Sequence, residues 1–144
     1  MDFQELDNLL PFVLKRNNVA RYEDGIVFIG DRRAYPFKKE FVKCEDIESV
    51  ARAIEGMVTQ GGGPWVAAAF AMVMAAREAE SKSEKDALDY LTRARERLIN
   101  TRPTNTAMAR RLGDSLKIAS QAREAGKSME QALLDWIKDL RDQT

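Results

Sequence analysis

The chain has 144 residues, which is enough for one ordinary domain with a substantial core. Hydrophobic residues make up 44% and charged residues 32% of it, a balance typical of a globular protein rather than a disordered one. The 23 Lys and Arg residues equal the 23 Asp and Glu residues, so no overall field favours nucleic acid or an anionic membrane. Any anion-binding site must therefore be local.

The residue types that the sequence lacks exclude several kinds of catalytic and metal-binding site. There is no histidine and only one cysteine, Cys44, which excludes a Cys/His zinc site, a Ser-His-Asp triad and an intramolecular disulfide. We therefore expect neither a metal ion nor another cofactor. The N-terminus carries acidic residues before its apolar ones, the reverse of a signal peptide, and the apolar run 65–76 is shorter than the roughly 20 residues that span a bilayer. A cytoplasmic protein without nucleic-acid or membrane contact is predicted.

The first third of the chain predicts a short helix followed by strands. Residues 2–15 have a helical apolar pattern that contains a proline. The pair Asp24-Gly25 is a strong hairpin signal, and Ile26–Ile29 follows it as a strand. Residues 40–44 read as a further strand, so a small antiparallel sheet is expected near the start.

After Cys44 the apolar residues recur with a helical period. The first helix of this region has one apolar stripe, and the second begins at Pro64 and is apolar nearly all round, which predicts a central buried helix. Three more helices are delimited by capping residues and by Gly126, which ends the second of the three. The predicted caps are Ser83 with Asp86, Thr104 or Asn105, and Ser128 with Gln131.

The third helix of the region is predicted to turn its apolar side chains inward, namely Leu88, Leu91, Ala94, Leu98 and Ile99. The fold class expected from these patterns is mostly α, with a small N-terminal antiparallel β-sheet followed by a bundle of about five helices. We predict a single domain over 1–144, in which residues 1–44 form the short helix and the sheet and residues 45–144 form the bundle.

The segment Gln60-Gly61-Gly62-Gly63 precedes the most apolar helix and is the first candidate binding site. A helix N-terminus offers unpaired amides and a partial positive charge, and glycines let an anion approach them closely. Gln60 adds a neutral donor. The pattern is not a P-loop, because no Gly-Lys-Ser/Thr follows. The alternative is a flexible loop before a helix that starts with proline.

The second candidate is Asn100–Asn105, between two predicted helices. Arg102 can hold a phosphate or carboxylate with two parallel donors, and Thr104 can add a donor at the helix start. The alternative is an interhelical turn with Arg102 on the surface. The arginines of the neighbouring helices, Arg93, Arg95, Arg97, Arg110 and Arg111, are expected on solvated faces, the last two close to Arg102.

The order of these motifs resembles one protein superfamily over roughly residues 20–120. The matching motifs are Tyr22-Glu23-Asp24-Gly25, Asp31-Arg32, Tyr35-Pro36, Met57, Gln60-Gly61-Gly62-Gly63 and Arg102-Pro103-Thr104. They resemble the N-terminal domain shared by methylthioribose-1-phosphate isomerase, archaeal ribose-1,5-bisphosphate isomerase and the regulatory subunits of translation initiation factor 2B.

The resemblance implies that Gly61, Gly62 and Arg102 help to hold a sugar phosphate. Gln60 stands where the family usually has arginine, and a neutral amide should bind an anion more weakly. The resemblance also implies that catalysis belongs to a second, Rossmann-like domain, for which this sequence has no counterpart. We therefore assign no catalytic residue, and expect either a fragment or a stand-alone version of the domain.

Two functions follow from the resemblance. The first is a domain that contacts the phosphate of a phosphorylated pentose, or another small anion, and needs a Rossmann-like partner domain or protein for aldose–ketose isomerisation. The alternative is a diverged, non-catalytic interaction or regulatory module related to the initiation-factor subunits. For the alternative, Trp65 and Trp136 are the first candidates for a contact surface.

Overall fold

A computed structural model describes residues 20–31, 41–56, 63–101 and 106–142, so the predicted helix over 2–15 lies outside the described residues. The described chain contains three strands followed by five helices, as the sequence predicts. The strands are β1 (Ala20–Glu23), β2 (Ile26–Gly30) and β3 (Phe41–Cys44). The helices are α1 (Ile47–Glu55), α2 (Gly63–Ala79), α3 (Glu84–Ile99), α4 (Thr106–Glu124) and α5 (Met129–Asp142).

The three strands form an antiparallel sheet in the order β1-β2-β3. The turn between β1 and β2 consists of Asp24 with φ 48° and Gly25 with φ 82°. Two consecutive residues with positive φ are what a two-residue hairpin loop requires, and the Asp-Gly pair adopts it readily. Val27 and Ile29 alternate inward on β2 and are fully buried, so one face of the sheet is part of the core.

Helix α2 is the centre of the fold and packs against all four other helices and against β1 and β2. It is buried almost all round, as predicted, and seven of its alanines have no solvent exposure. They are Ala67, Ala68, Ala69, Ala71, Ala75, Ala76 and Ala79. Small side chains on every face let the neighbouring elements approach the α2 backbone closely. Although α2 is strongly apolar, no helix in the described ranges is both long and apolar enough to cross a bilayer.

Helix α3 starts at the predicted cap, since Ser83 Oγ accepts a hydrogen bond from the Asp86 amide at 3.2 Å. The prediction for its inward face was wrong at Leu88, which is 46% exposed. The buried stripe instead consists of Ala87, Leu91, Ala94 and Leu98. The steps of four, three and four residues follow one straight helical face, and Leu88 lies one position beside it.

The junction of α4 and α5 is set by several local caps. Gly126 has φ 73° and donates to the Arg123 carbonyl, while Lys127 N–H donates to Ala122 O at 2.8 Å. This is a Schellman motif, and it confirms that Gly126 ends α4. Ser128 Oγ accepts from the Gln131 amide at 3.1 Å, as the predicted cap requires. A second cap comes from the end of α2, where Glu80 Oε1 accepts the Met129 amide at 2.6 Å.

Replacing Gly113 with alanine should stabilise the protein by about 0.5–1 kcal/mol, because glycine in a helix interior costs that much relative to alanine. Gly113 lies within α4, and an added Cβ would meet the Arg95 side chain at 3.5 Å or more, an ordinary contact distance. The free energy of unfolding in urea measures the change.

Gly126→Ala is the matched control for this substitution. An added Cβ would meet nothing within 4 Å there, but the positive φ of Gly126 disfavours any L side chain. We expect the free energy of unfolding of this variant to be lower by about 1 kcal/mol. Destabilisation by Gly113→Ala would mean that Arg95 cannot accommodate a methyl group over α4.

Candidate functional site

Most of the predicted anion-binding residues lie outside the described residues. These are Gln60, Gly61, Gly62, Arg102 and Thr104. Gly63 is the first residue of α2, one position earlier than the predicted start at Pro64. The structure therefore describes the helices that begin directly after both candidate segments, α2 after 60–62 and α4 after 102–105.

Helices α2 and α4 run parallel, and contacts at both of their ends establish this. Near the helix starts, the Arg111 guanidinium carbon lies 4.3 Å from the centre of the Trp65 ring. Near the helix ends, Arg123 of α4 donates to the carbonyl of Ala79, the last residue of α2, at 3.3 Å. Because like ends are adjacent, α2 and α4 both begin at the same end of the bundle. We call this end the N-terminal pole of α2 and α4.

Two helix N-termini at one pole give that pole a local positive potential. Each helix start carries unpaired amides equivalent to roughly half an elementary charge. Arg111 adds a full charge, held against the Trp65 face by a cation–π contact. Sequence reasoning noted that Arg111 is close to Arg102, but it could not foresee the contact with Trp65, because these residues are 46 positions apart.

The ends of α1 and α3, which lead into the two candidate segments, are joined by one arginine. Arg97 in the last turn of α3 makes four hydrogen bonds of 2.9–3.1 Å, two to Glu48 and two to Glu55. Glu55 is the last residue of α1, and Arg97 is five residues before Arg102. These ion pairs therefore hold the C-terminal ends of α1 and α3 in a fixed position relative to one another.

The same contacts perturb the titration of the carboxylates. Hydrogen bonds from Arg97, and secondarily from Arg52, lower the pKa of Glu48 to about 2. Hydrogen bonds from Arg97 also lower the pKa of Glu55, and the two carboxylates raise the pKa of Arg97. A group with a lowered folded-state pKa stabilises the fold above its unfolded-state pKa, and the contribution is lost as the pH falls through the folded value. The link between α1 and α3 therefore stays ionised throughout the neutral range.

The expectation that the arginines of α3 lie on a solvated face holds for Arg93, which is exposed, and is wrong for its neighbours. Arg97 forms the ion pairs just described. Arg95 donates from Nη2 to the Ala109 carbonyl at 3.1 Å, so it joins α3 to the fourth residue of α4. Both side chains are half-buried between helices. A long cationic side chain can serve in this way because its aliphatic part packs while its head bonds.

The hairpin turn lies at the opposite end of α2 from the N-terminal pole. Arg77, near the end of α2, is 3.2 Å from Asp24 Oδ1 and 3.7 Å from Glu130 Oε2. Tyr22 donates its hydroxyl proton to Glu130 at 2.5 Å. Burial first, and then the Glu130 carboxylate, raise the pKa of Tyr22. This network connects the sheet, α2 and α5, and it places the hairpin turn at the end of α2 that is opposite the N-terminal pole.

Cys44 is a structural residue. Its side chain is fully buried at the end of β3. Burial, with a smaller effect of Asp46, raises the pKa of the thiol to about 11. Because the thiolate is the nucleophilic form, a cysteine in this state is inert at neutral pH.

The sequence of the chain is similar to curated methylthioribose-1-phosphate isomerases, whereas no protein-family model matches it. It is 32% identical over 102 residues to the putative methylthioribose-1-phosphate isomerase of Aeropyrum pernix. It is 31% identical over 123 residues to the methylthioribose-1-phosphate isomerase of Herpetosiphon aurantiacus. These alignments cover 70% and 83% of this chain, but only 28% and 34% of the two relatives. The chain thus spans about a third of the length of these proteins.

Two solved structures share the fold. The 5-methylthioribose 1-phosphate isomerase of Pyrococcus horikoshii OT3 superposes with a TM-score of 0.75 over 96% of this chain and 40% of its own, at 24% identity. The delta subunit of translation initiation factor eIF-2B from A. fulgidus superposes with a TM-score of 0.69 over 86% of this chain and 36% of its own, at 26% identity. Over most of its length, the chain is therefore similar to the superfamily of methylthioribose-1-phosphate isomerases and initiation factor 2B subunits, and the matches support a counterpart of their N-terminal domain.

Proposed function

We propose that this chain is the phosphate-binding N-terminal half of a sugar-phosphate isomerase-like protein. In this proposal the amides of Gly61, Gly62 and Gly63, the Gln60 side chain, Arg102 and Thr104 hold the phosphate of a phosphorylated ribose derivative. A Rossmann-like domain, in the same chain or in a separate one, supplies the proton transfers of aldose–ketose isomerisation.

The single observation that carries the proposal is the parallel arrangement of α2 and α4. The Trp65–Arg111 and Arg123–Ala79 contacts place the starts of both helices at one pole. The two candidate segments immediately precede those starts in the sequence, which supports the binding of a single anion by both helix N-termini. An antiparallel pair would have separated the segments by the length of a helix.

The residue types of this chain suit the binding of a phosphate but not the proton transfers of isomerisation. Peptide amides and a guanidinium bind a phosphate but transfer no protons near neutral pH. The chain has no histidine, and its one cysteine is buried with a raised pKa. Binding and positioning are therefore assigned to this chain, and acid–base chemistry is assigned to the Rossmann-like partner.

The direct test is a titration of the ¹⁵N-labelled chain with inorganic phosphate, sulfate and ribose-1,5-bisphosphate. We expect the backbone amide signals of residues 61–63 to shift and to saturate at millimolar ligand or below. The amides of Asp24 and Gly25, at the opposite end of α2, are the internal control and should stay in place. If residues 61–63 move no more than this control, the phosphate proposal fails and the interaction-module alternative is favoured.

A further inference from the structure

We propose that the cleft between the start of α3 and the end of α4 is a docking site for a basic partner segment that inserts one apolar side chain. The cleft is lined by the first turns of α3, the last turns of α4 and Met129 at the start of α5. Arg123 in its lining donates to the Ala79 carbonyl at the end of α2. The cleft is therefore at the opposite end of the bundle from the N-terminal pole, and this inference goes beyond the proposed phosphate binding.

The floor of the cleft is apolar and its rim carries Leu88. Ala87, Leu91 and Met129 line the cleft and are almost fully buried, whereas Leu88 is 46% exposed. A single exposed leucine is ordinary on a protein surface, but this one stands beside a cleft of about 120 Å³. Since a cavity of about 150 Å³ lined by apolar side chains accommodates benzene, the cleft has room for one aliphatic side chain.

Two carboxylates flank the apolar floor. Glu84 in the first turn of α3 and Glu124 at the end of α4 both line the cleft and are exposed. Neither forms an ion pair within the part of the chain that the structure describes. A negative charge at a helix C-terminus adds to the negative end of the helix dipole, so Glu124 on its own is unfavourable for α4. A cation bound beside Glu124 would offset this charge.

The contacts of Arg123 decide the sign of the partner's charge. Its Nη1 donates to Ala79 O at 3.3 Å and its Nη2 donates to Lys82 O, so both nitrogens hold main-chain carbonyls near the end of α2. Two exposed carboxylates and one guanidinium engaged in this way leave the lining of the cleft net negative. The complementary partner therefore presents Lys or Arg side chains on both sides of its apolar residue.

The test titrates the chain, labelled with ¹³C in its methyl groups, with three pentapeptides. Acetyl-Lys-Lys-Leu-Lys-Lys-amide is the probe, and replacing its leucine with serine, or its lysines with glutamates, gives the two matched controls. We expect the probe to shift the methyl signals of Leu88 and Met129 and to saturate in the millimolar range, while the methyl of Met72, buried in α2, stays in place. Both controls should bind at least about fivefold more weakly, because one lacks the apolar side chain and the other meets like charge.

Variants of the chain separate the contributions of the rim charge and of Leu88. Glu124→Gln should weaken binding of the lysine probe about two- to fivefold, the effect of one exposed ion pair. Glu96→Gln is the matched control, because Glu96 is exposed near the other end of α3, and it should change binding by less than about 1.5-fold. Leu88→Ala should weaken binding about fivefold, with the Met129 methyl as the reporter. Unfolding in urea of each variant shows whether the fold is retained.

Several results would overturn the inference. The apolar contact is refuted if the serine control shifts the Met129 methyl as strongly as the probe does at the same concentration. The charge complementarity is refuted if the glutamate control binds as tightly as the probe, or if Glu124→Gln and Glu96→Gln bind the probe equally. If the Leu88 and Met129 signals instead change on dilution of the chain without peptide, a second copy occupies the cleft and the basic partner is refuted. None of these results bears on the phosphate titration, which follows the amides of residues 61–63.

Discussion

Replacing Leu98 with alanine should lower the free energy of unfolding by about 2–5 kcal/mol. Leu98 lies in the last two turns of α3 and its side chain has no solvent exposure. Truncation removes buried methyl groups and leaves a cavity that the surrounding helices can fill only in part. The change is measured as the shift in the urea unfolding curve at constant slope.

Leu88→Ala in the same helix is the control for this prediction. Leu88 is 46% exposed and lies at a small open cleft with Arg123 and Met129. Its truncation should cost less than about 1 kcal/mol, because much of the side chain is already in water. Equal decreases in the free energy of unfolding for Leu98→Ala and Leu88→Ala would show that the buried stripe of α3 is assigned incorrectly.

Replacing Arg102 with alanine should weaken the binding of inorganic phosphate roughly 10- to 100-fold. Hydrogen bonds to charged groups are worth about 1.5–3 kcal/mol, and each 1.4 kcal/mol is a factor of ten in affinity. A guanidinium that bonds the phosphate directly should therefore dominate the affinity of a small site. The dissociation constant is obtained from the amide shifts of residues 61–63 on titration with phosphate.

Arg93→Ala is the control for the loss of charge. Arg93 is exposed on α3, about two turns before the helix ends, so its removal changes the net charge equally without touching the candidate segments. We expect its affinity for phosphate to stay within about twofold of the unsubstituted chain, because solvent and salt screen an exposed charge. Similar losses in both variants would indicate that net charge, rather than the Arg102 side chain, governs binding.

Local sequence signals predicted most of the architecture because each depends on neighbouring residues only. The Asp24-Gly25 hairpin, the Ser83 cap and the end of α4 at Gly126 all follow from backbone preferences of single residues. The burial of α2 follows equally directly, since an all-round apolar helix has no face suited to water. These features did not require knowledge of what each element packs against.

Features that depend on two distant elements could not be predicted. Both Ala87 and Leu88 are compatible with a helical stripe through Leu91, and only the packing partner decides which of them is buried. The Arg97 ion pairs with α1 likewise require the relative position of two helices. Such tertiary contacts have no sequence period.

The candidate site could be predicted from the sequence as two separate motifs. The glycine segment and Arg102 were recognised by residue type, whereas the shared N-terminal pole of the helices that follow them, α2 and α4, depends on tertiary packing. The Trp65–Arg111 and Arg123–Ala79 contacts are the evidence for that arrangement. Neither contact has a local sequence signal, because the paired residues are 46 and 44 positions apart.

The central position of α2 has a consequence for how the domain opens. Since this helix touches every other described helix and two strands, its peptide groups reach water only when the surrounding layer separates from it. Deuterium would therefore enter α2 by global unfolding rather than by local fraying. A ligand that holds the first turn of α2 would slow that exchange throughout the bundle, because it stabilises the native state as a whole.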